Sequence, residues 1–173
     1  MILLSLDLEM AQPCGTIIQV GYAIGDTATG EILLSATYNI KSDVVVSEFI
    51  TKLTGITQDV VDAGTSLYEA YEQMAKYHAK YKCLMNPLTW GGGDSETLRN
   101  QLGADGQWVF GRRWIDAKTV YISRRMAQGL PFVGGLKKSM GRMGMAFEGE
   151  AHRAEVDAIN TFRIYHKLLG EFK

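Results

Sequence analysis

The sequence predicts a mixed α/β protein in which one sheet, with an antiparallel N-terminal meander, is flanked by helices. Three apolar, β-branched segments with short connections lie near the start of the chain, at residues 2–8, 15–24 and 31–40. Later segments change to a helical period and alternate with one further apolar strand at 83–90. Consecutive strands followed by alternating helix and strand favour a single mixed sheet covered by helices.

The helices are predicted from spacing and from residues that start them. Apolar residues recur at helical spacing over residues 66–82, with Ser66 as the expected N-cap and Glu69 as the acid of a capping box. Asn86-Pro87 weakens the preceding strand prediction. Further helices are predicted to begin at Asp94 and to cover residues 116–128, 133–143 and 153–169.

The composition is that of one ordinary globular domain, predicted to comprise residues 1–173. Hydrophobic residues make up 46% of the chain and charged residues 21%, which is enough apolar material for a sizeable core. Cys14 and Cys83 are too few for a disulfide framework and form no zinc-binding pair. No basic residue precedes the N-terminal apolar segment, and no run of about 18 apolar residues occurs. We therefore expect a cytoplasmic protein without a signal peptide or membrane span.

Charge is unevenly distributed along the chain, although the net charge is only −1. Residues 99–142 contain nine lysines and arginines against two acids, Asp105 and Asp116, whereas residues 43–72 contain six acids and one base. A basic region beside an acidic site would attract phosphates toward metal ligands, as a nuclease requires. The alternative is that these charges lie on solvated helix faces, which is the default for most single lysines and arginines.

The most informative feature is a pair of acids, Asp7 and Glu9, inside the otherwise apolar first strand. Side chains alternate between the two faces of a strand, so these carboxylates point the same way. Buried charge is costly unless it is paired or bound to a metal. The pair therefore predicts a cation site, and a surface location is the alternative that the apolar flanks disfavour.

Three further residues are predicted to complete a two-metal phosphodiesterase site: Asp94, His152 and Asp157. Asp157 lies inside the last helical pattern, whereas His152 is five residues earlier and would lie about 140° around a straight helix. We therefore expect His152 before the helix begins, on backbone that can move, where it could take a proton from water. Asp94 stands at a helix start, so it could be an N-cap as well as a ligand.

These residues occur in the order and context of a known family. An Asp-x-Glu pair near the N-terminus, an aspartate after Trp90-Gly91-Gly92-Gly93, and His-x4-Asp before the final helix resemble the DEDDh exonucleases. This superfamily includes RNase T and the polymerase proofreading subunits. The segments IIQVG at 17–21 and LTGIT at 53–57 resemble its second strand and a recurrent turn. Residues 90–94 and 135–152 are similar to the histone-mRNA 3′ exonuclease branch.

The resemblance implies an RNase H-like fold with a mixed five-stranded sheet, and it implies roles for the site residues. His152 would be the general base, and Glu9 would also help to position the terminal nucleotide. Two Mg²⁺ or Mn²⁺ ions would be held by four carboxylates, those of Asp7, Glu9, Asp94 and Asp157.

Three residues would flank the pocket for the terminal base: Leu8, Met10 and Gly93. In the histone-mRNA branch an aromatic residue often stands where this chain has Gly93, and smaller residues are frequent at the position of Met10. The resemblance therefore leaves the substrate preference open while it fills the whole catalytic set.

The predicted function is metal-dependent 3′→5′ exonucleolytic hydrolysis of single-stranded RNA or short oligonucleotides, which releases nucleoside 5′-monophosphates. The alternative of the same class is a 3′→5′ DNA exonuclease for trimming or proofreading. The alternative of a different class is a nucleic-acid-binding module without catalysis, and the five filled catalytic positions argue against it. A subunit recruited to a larger polymerase or RNA-processing complex, and a homodimer, are left open.

Overall fold

The computed structural model describes residues 1–103 and 107–171, so Asp105 of the predicted charge pattern lies outside the described residues. The described residues form a five-stranded sheet in the order β3-β2-β1-β4-β5. Its strands are β1 Ile2–Ala11, β2 Thr16–Asp26, β3 Ile32–Asn39, β4 Leu88–Thr89 and β5 Ile115–Asp116. The predicted mixed five-stranded sheet is confirmed.

The central strand, β1, has neighbours of both directions. It pairs antiparallel with β2 along its whole length, and β2 pairs antiparallel with β3. On its other side β1 pairs in parallel with β4 at Ser5↔Leu88, and β5 continues the sheet in parallel with β4. The predicted antiparallel meander is therefore correct. β1 extends beyond the predicted end at residue 8, because β2 supplies partners as far as Ala11.

Seven helices flank the sheet in the described part of the chain. They are α1 Glu48–Thr54, α2 Gln58–Asp62, α3 Leu67–Lys80, α4 Asp94–Leu102, α5 Ala117–Ala127, α6 Leu136–Arg142 and α7 Ala154–Gly170. α3 begins with the predicted capping box, in which the Ser66 and Glu69 side chains each accept from the other residue's amide. Among residues 1–103 and 107–171, none of the helices is long and apolar enough to cross a membrane.

Two predicted elements are shorter in the structure. The strand expected at 83–90 is reduced to Leu88–Thr89, because Pro87 has no amide hydrogen to donate to a ladder. The helix expected at 133–143 begins only at Leu136, because Gly134 has a φ of 142°, outside the helical region. α1 and α2 have no counterpart among the predicted helices.

The sheet separates two apolar layers, and β1 contributes alternate residues to each. Even-numbered residues of β1, among them Leu6, pack with α3 on one face. Leu3 packs with Phe162 of α7 on the opposite face. Because the faces alternate along a strand, Asp7 and Glu9 lie on the α7 side of the sheet. The fold therefore aims both acids at the helix that carries Asp157.

Candidate active site

The predicted site residues converge at one edge of the sheet, where the parallel strands end. β1, β4 and β5 run in the same direction, so their carboxyl ends lie at this edge. Asp7 and Glu9 lie on β1 beyond its pairing with β4 at Ser5. Asp94 is the first residue of α4, and Asp157 lies in the first turn of α7. Three elements that are distant in sequence thus supply the carboxylates.

Asp7 lies at the electrostatic centre of this group. The pKa of its carboxyl group is raised well above the usual range, first by burial and then by the charges of Asp94, Asp157 and Glu9. These couplings place four carboxylates in one region with restricted access to water. Among the described residues, no lysine or arginine forms an ion pair with Asp7, Asp94 or Asp157. The like charges of these three acids are therefore not neutralised by a salt bridge to lysine or arginine.

Glu9 and Asp94 have strongly perturbed carboxyl groups. Burial raises the pKa of Glu9 to about 7, with a further rise from Asp157 and an opposing effect from Arg153. Burial also raises the pKa of Asp94 to about 7, and the charge of Asp116 adds to the rise. A cation would reverse this preference for the neutral form, because it favours the deprotonated carboxylate.

His152 lies immediately before α7, as the sequence predicts. Its backbone is left-handed, with a φ of 64°, a region that histidine enters more often than most residues with a side chain. The His152 amide donates to Asp157 Oδ2 at 2.7 Å. Burial raises the pKa of Asp157, and this hydrogen bond opposes the rise. The carboxylate of Asp157 thus fixes the turn that presents the histidine.

The His152 ring belongs to the same site as the carboxylates. One of its nitrogens and one carboxylate oxygen from each of Glu9 and Asp157 all lie within 4.8 Å of one another. Glu9 is only 9% exposed, whereas His152 is exposed, so water reaches the ring from outside. At this distance the ring nitrogen and the two carboxylates could bind one cation together, or the ring could exchange a proton with either carboxylate. The assignment of His152 as a base therefore stays a prediction.

The donor set fits a hard divalent cation. Four carboxylates converge without a cysteine among them, and oxygen ligands of this kind are those that Mg²⁺ and Mn²⁺ prefer. Buried carboxylates that lack a basic partner are stabilised by a bound cation. The structure therefore contains a candidate divalent-metal site at this edge of the sheet.

Two residues of β2 that the sequence reasoning did not assign to the site fix the start of α7. The Gln19 side chain accepts from the Ala154 amide at 3.0 Å and donates to Asn39 Oδ1 at 2.8 Å. At Gly21, an added Cβ would lie 2.1 Å from the Ala154 carbonyl carbon, so only glycine permits this approach. Both residues belong to the IIQVG segment, but their roles depend on a helix start 135 positions from Gln19. No local sequence pattern could have identified them.

Asp116 fixes the glycine segment that leads to Asp94. Its Oδ1 accepts from the Gly91 amide at 2.9 Å, and it also caps α5 by accepting from the amides of Lys118 and Thr119. The sequence places Asp116 at a helix start, which is correct. Its bond to Gly91 and its charge beside Asp94 are visible only in the structure.

Arg153 lies between Glu9 and the C-terminal end of α1. Its guanidinium lies so close to Gly55 that a Cβ there would be 2.3 Å from Nη2. Its charge lowers the pKa of Glu9, against the larger effects of burial and Asp157. Arg153 also pairs with Glu150 at 3.1 Å, an exposed ion pair that contributes little to stability. The LTGIT turn thereby contacts the residue next to His152.

The three residues predicted to flank the terminal base lie in different surroundings. The Leu8 side chain is buried in the core on the α3 side, so its backbone is the part nearest the acids. Met10 is half-buried and packs against the same cluster. Gly93 is exposed with a φ of 114°, and a Cβ there would have no atom within 4 Å. Contact of these residues with substrate stays a prediction.

Carboxylates and a histidine gathered where parallel strands end are typical of metal-dependent enzymes that act on phosphodiesters. The chain belongs to the RNase T exonuclease family, whose profile matches residues 4–165. The predicted exonuclease family is confirmed by this match, and the solved structures that follow have the predicted fold.

Individual relatives agree with the family. The chain is 29% identical over 182 residues to ERI1 exoribonuclease 2 of Mus musculus, covering 90% of this chain and 25% of that protein. The nuclease domain of 3′hExo, a DEDDh family member bound to rAMP, superimposes with a TM-score of 0.82 at 22% identity, over 98% of this chain and 92% of that one. A 3′-exonuclease that recognises the histone mRNA stem-loop gives a TM-score of 0.82 at 22% identity, over 98% and 82%. The chain thus spans a quarter of the length of its mouse relative.

Proposed function

We propose that this chain is a metal-dependent 3′→5′ exonuclease that releases nucleoside 5′-monophosphates from single-stranded RNA. The observation that carries the proposal is the edge of four coupled carboxylates with a histidine at its rim. Family membership supports the class of reaction. A single strand fits this site because the terminal phosphodiester has to reach acids that are buried or half-buried.

The carboxylates would act as a rigid metal cage. Asp7, Glu9, Asp94 and Asp157 would hold two Mg²⁺ or Mn²⁺ ions, and such ions, when bound, activate the attacking water and stabilise the leaving 3′ oxygen. β2 holds the strand of Asp7 and Glu9 along its full length, so these two need no reorganisation. Asp116 keeps the segment before Asp94 in place through its bond to Gly91.

His152 would accept the proton of the attacking water. It is exposed to water, and the acids of Glu9 and Asp157 lie near enough to stabilise the imidazolium that forms. Its amide bond to Asp157 ties the position of the ring to the position of a metal ligand. His152 lies outside the helix with left-handed backbone, so the helical repeat does not set the direction of its ring.

RNA is favoured over DNA as the substrate. The mouse relative is an exoribonuclease, and the 3′hExo nuclease domain binds rAMP, although these properties are those of the relatives. A 3′→5′ DNA exonuclease remains the second candidate, because the carboxylate edge is chemically suited to either sugar. The 2′-hydroxyl is the group that separates the two substrates.

The test is hydrolysis of matched, 5′-labelled 12-nucleotide RNA and DNA strands with Mg²⁺ or Mn²⁺. We expect a ladder that shortens from the 3′ end, nucleoside 5′-monophosphates as products, and faster loss of RNA than of DNA. Asp7→Asn serves as the matched inactive variant. An inactive wild-type protein with both metals, indistinguishable from Asp7→Asn, would contradict the proposal.

Two further predictions from the sequence belong to this proposal. The enzyme is proposed to act in the cytoplasm, and a homodimer stays the open alternative to a monomer. Light scattering coupled to gel filtration gives the mass of the purified chain, and a mass near 19 kDa would contradict the dimer.

A further inference from the structure

One basic side chain, that of Arg153, lies against the carboxylate site. Arg153 is the last residue before α7, and its charge lowers the pKa of Glu9 against the larger effects of burial and Asp157. Within the described part of the chain, no other lysine or arginine is among the main influences on the pKa of any of the four carboxylates. Arg153 is therefore the basic side chain with the strongest electrostatic effect on these acids.

The backbone places Arg153 beside two groups of the proposed reaction. It directly follows His152, the proposed base, and its carbonyl accepts from the Asp157 amide at 2.9 Å. Arg153 thus lies one helical turn, about 6 Å along the axis, before a proposed metal ligand. The next residue is bonded to the sheet, because the Ala154 amide donates to Gln19. The position of Arg153 is therefore set by the same contacts that fix the start of α7.

The Arg153 guanidinium rests on the turn that ends α1. A Cβ at Gly55 would lie 2.3 Å from Nη2 and 2.7 Å from both Cζ and Nη1, so a side chain there would displace the guanidinium. Gly55 is the C-cap of α1 with a left-handed φ of 67°, and a helix C-terminus favours a nearby cation. The turn therefore supports the guanidinium within electrostatic reach of Glu9 before any substrate binds.

Most hydrogen-bond donors of this guanidinium have no acceptor among the described residues. An arginine has five N–H donors, and Nη2 uses one of them for Glu150 at 3.1 Å. No other acceptor in residues 1–103 and 107–171 bonds the group, and no ion pair joins it to Glu9. The Glu150 side chain is 79% exposed and that of Arg153 is 36% exposed. An anion that enters from solvent could therefore replace this weak ion pair.

The proposed reaction develops negative charge that the metal ions alone do not balance. Two divalent cations would balance the four carboxylates, so the charge of a phosphodiester bound to them is left over. Attack by the deprotonated water then places a second negative charge on the phosphate oxygens. A cation held in place at a partly buried site stabilises such charge more than it would in water.

We propose that Arg153 binds a nonbridging oxygen of the scissile phosphodiester and stabilises the negative charge that develops there during hydrolysis. The scissile phosphate is the partner because Arg153 lies within electrostatic reach of Glu9 and one turn from Asp157, both proposed ligands of the ions that would bind this phosphate. Guanidinium groups bind phosphate oxygens through short, charge-assisted hydrogen bonds. The inference rests on the proposed exonuclease function, but the phosphate contact can be measured without catalysis.

The first experiment measures turnover of the 12-nucleotide RNA with Mg²⁺ or Mn²⁺. Arg153→Gln should lower kcat about 10²-fold and change KM less, because the contact strengthens as charge develops. Arg153→Lys keeps the charge without the planar fork and should lose only about tenfold. Lys167→Gln is the matched control, since it removes an exposed charge about 21 Å farther along α7 and should retain wild-type turnover.

Chemical rescue separates a phosphate contact from mere support of the turn at Gly55. Millimolar guanidinium chloride, far below the molar concentrations that unfold proteins, should raise the turnover of Arg153→Ala at least about fivefold. The same concentration of sodium chloride should not, and neither salt should raise the wild-type rate. A lowered melting temperature of Arg153→Lys and Arg153→Ala, without rescue, would show that the side chain only supports the turn and would overturn the inference.

The last experiment measures binding of a fluorescent 12-nucleotide RNA by anisotropy in EDTA, over a range of salt concentrations. Arg153→Gln should weaken binding about threefold to tenfold, and the slope of log affinity against log salt should become about 0.7 less steep for one lost phosphate contact. Lys167→Gln should leave the slope unchanged. Glu150→Gln should tighten binding, because it releases the guanidinium from its ion pair.

Two results would each overturn the inference: an unchanged salt slope in Arg153→Gln, or a turnover of that variant within about twofold of the wild type. If the wild-type protein cleaves no strand with either metal, the proposed function fails. The binding experiment still decides in that case whether Arg153 contacts phosphate.

Discussion

The two halves of the candidate site are held in different ways. Asp7 and Glu9 lie in the middle of the sheet, in a strand bonded to β2 along its full length. His152 lies outside any helix or strand, with left-handed backbone and an amide bonded to a side chain of the site itself. The groups that would bind metal are therefore fixed by the fold, whereas the group that would move a proton depends on the site for its position.

The segment before His152 is nevertheless anchored at its far end. The Asn160 side chain accepts from the Glu148 amide and donates to the Glu148 carbonyl, and Arg163 pairs with the Glu148 carboxylate at 2.6 Å. The short segment between Glu148 and α7 is thus anchored at Glu148 and, through the His152 amide, at Asp157. One site thus combines carboxylates held by the sheet with a histidine, the proposed base, that lies in a short loop.

The largest effect is expected at Asp7, one of the two acids that the sheet holds in place. Asp7→Asn should lower kcat by at least about 10³-fold, because it removes the carboxylate at the centre of the group. In EDTA at pH 8 the variant should be at least as stable as the wild type, since burial already opposes the charge of Asp7. Thermal unfolding checks this, and Asp43→Asn, at an exposed acid, is the control. A variant that merely unfolds would show a lower melting temperature.

At His152 we expect the next largest effect, a loss of about 10²-fold in kcat. His152→Ala removes the proposed base but leaves all four carboxylates, so Mn²⁺ affinity measured by calorimetry should change little. His166→Gln, in the body of α7, should retain wild-type turnover. Full activity of His152→Ala would show that another group takes the proton.

The carboxyl groups of the site should also make the stability of the protein depend on pH. Glu9 and Asp94 have pKa values raised to about 7 in the folded protein, from 4.5 and 3.8, so the folded state binds more protons than the unfolded chain between these values. Their contribution to stability is present at low pH and lost as the pH rises through 7. In EDTA we expect the free energy of unfolding to be roughly 4 kcal/mol lower at pH 8 than at pH 5.5, with about 2 kcal/mol from each of the two groups.

Metal should remove this pH effect. Addition of Mg²⁺ or Mn²⁺ at pH 8 should restore the lost stability, because cations favour the charged carboxylates. Asp7→Asn in EDTA should show a shallower pH dependence than the wild type, since one repelling charge is absent. A wild-type curve in EDTA that rises with pH between 5.5 and 8 would contradict the assignment of raised pKa values.

The smallest effect is expected at Gln19, which connects β2 to the start of α7. Gln19→Leu removes the acceptor of the Ala154 amide and should cost about 1 kcal/mol of stability, with a loss of activity near tenfold from the displaced start of α7. Met74→Ala, in the core on the α3 face, is the control for instability alone. If Met74→Ala loses as much activity per folded molecule as Gln19→Leu, the positioning role of Gln19 is wrong.

Much of the fold could be predicted because local patterns and tertiary structure agree. The alternation around Asp7 and Glu9 gives their shared face, the capping box at Ser66 starts α3, and the helical phase at Asp157 excludes His152 from α7. Each of these depends on neighbours within one segment.

The remainder depends on contacts across the chain. Gln19 meets a helix start 135 residues away, and Asp116 meets Gly91 across two strands. The length of β4 was overestimated because an apolar segment resembles a strand even where Pro87 prevents pairing. Roles created by distant partners have no local pattern, so they could be found only from the structure.

The absence of a side chain at Gly21 allows the start of α7 to lie close to the sheet. Gly21 has no functional group, yet it is the ladder partner of Asp7 and lets the Ala154 backbone approach the sheet. Any larger residue there would act as a spacer that widens the gap between the strand acids and Asp157. The absence of a side chain at position 21 therefore sets the distance between the strand acids and Asp157. A substitution at this position could change that distance without changing any of the proposed metal ligands.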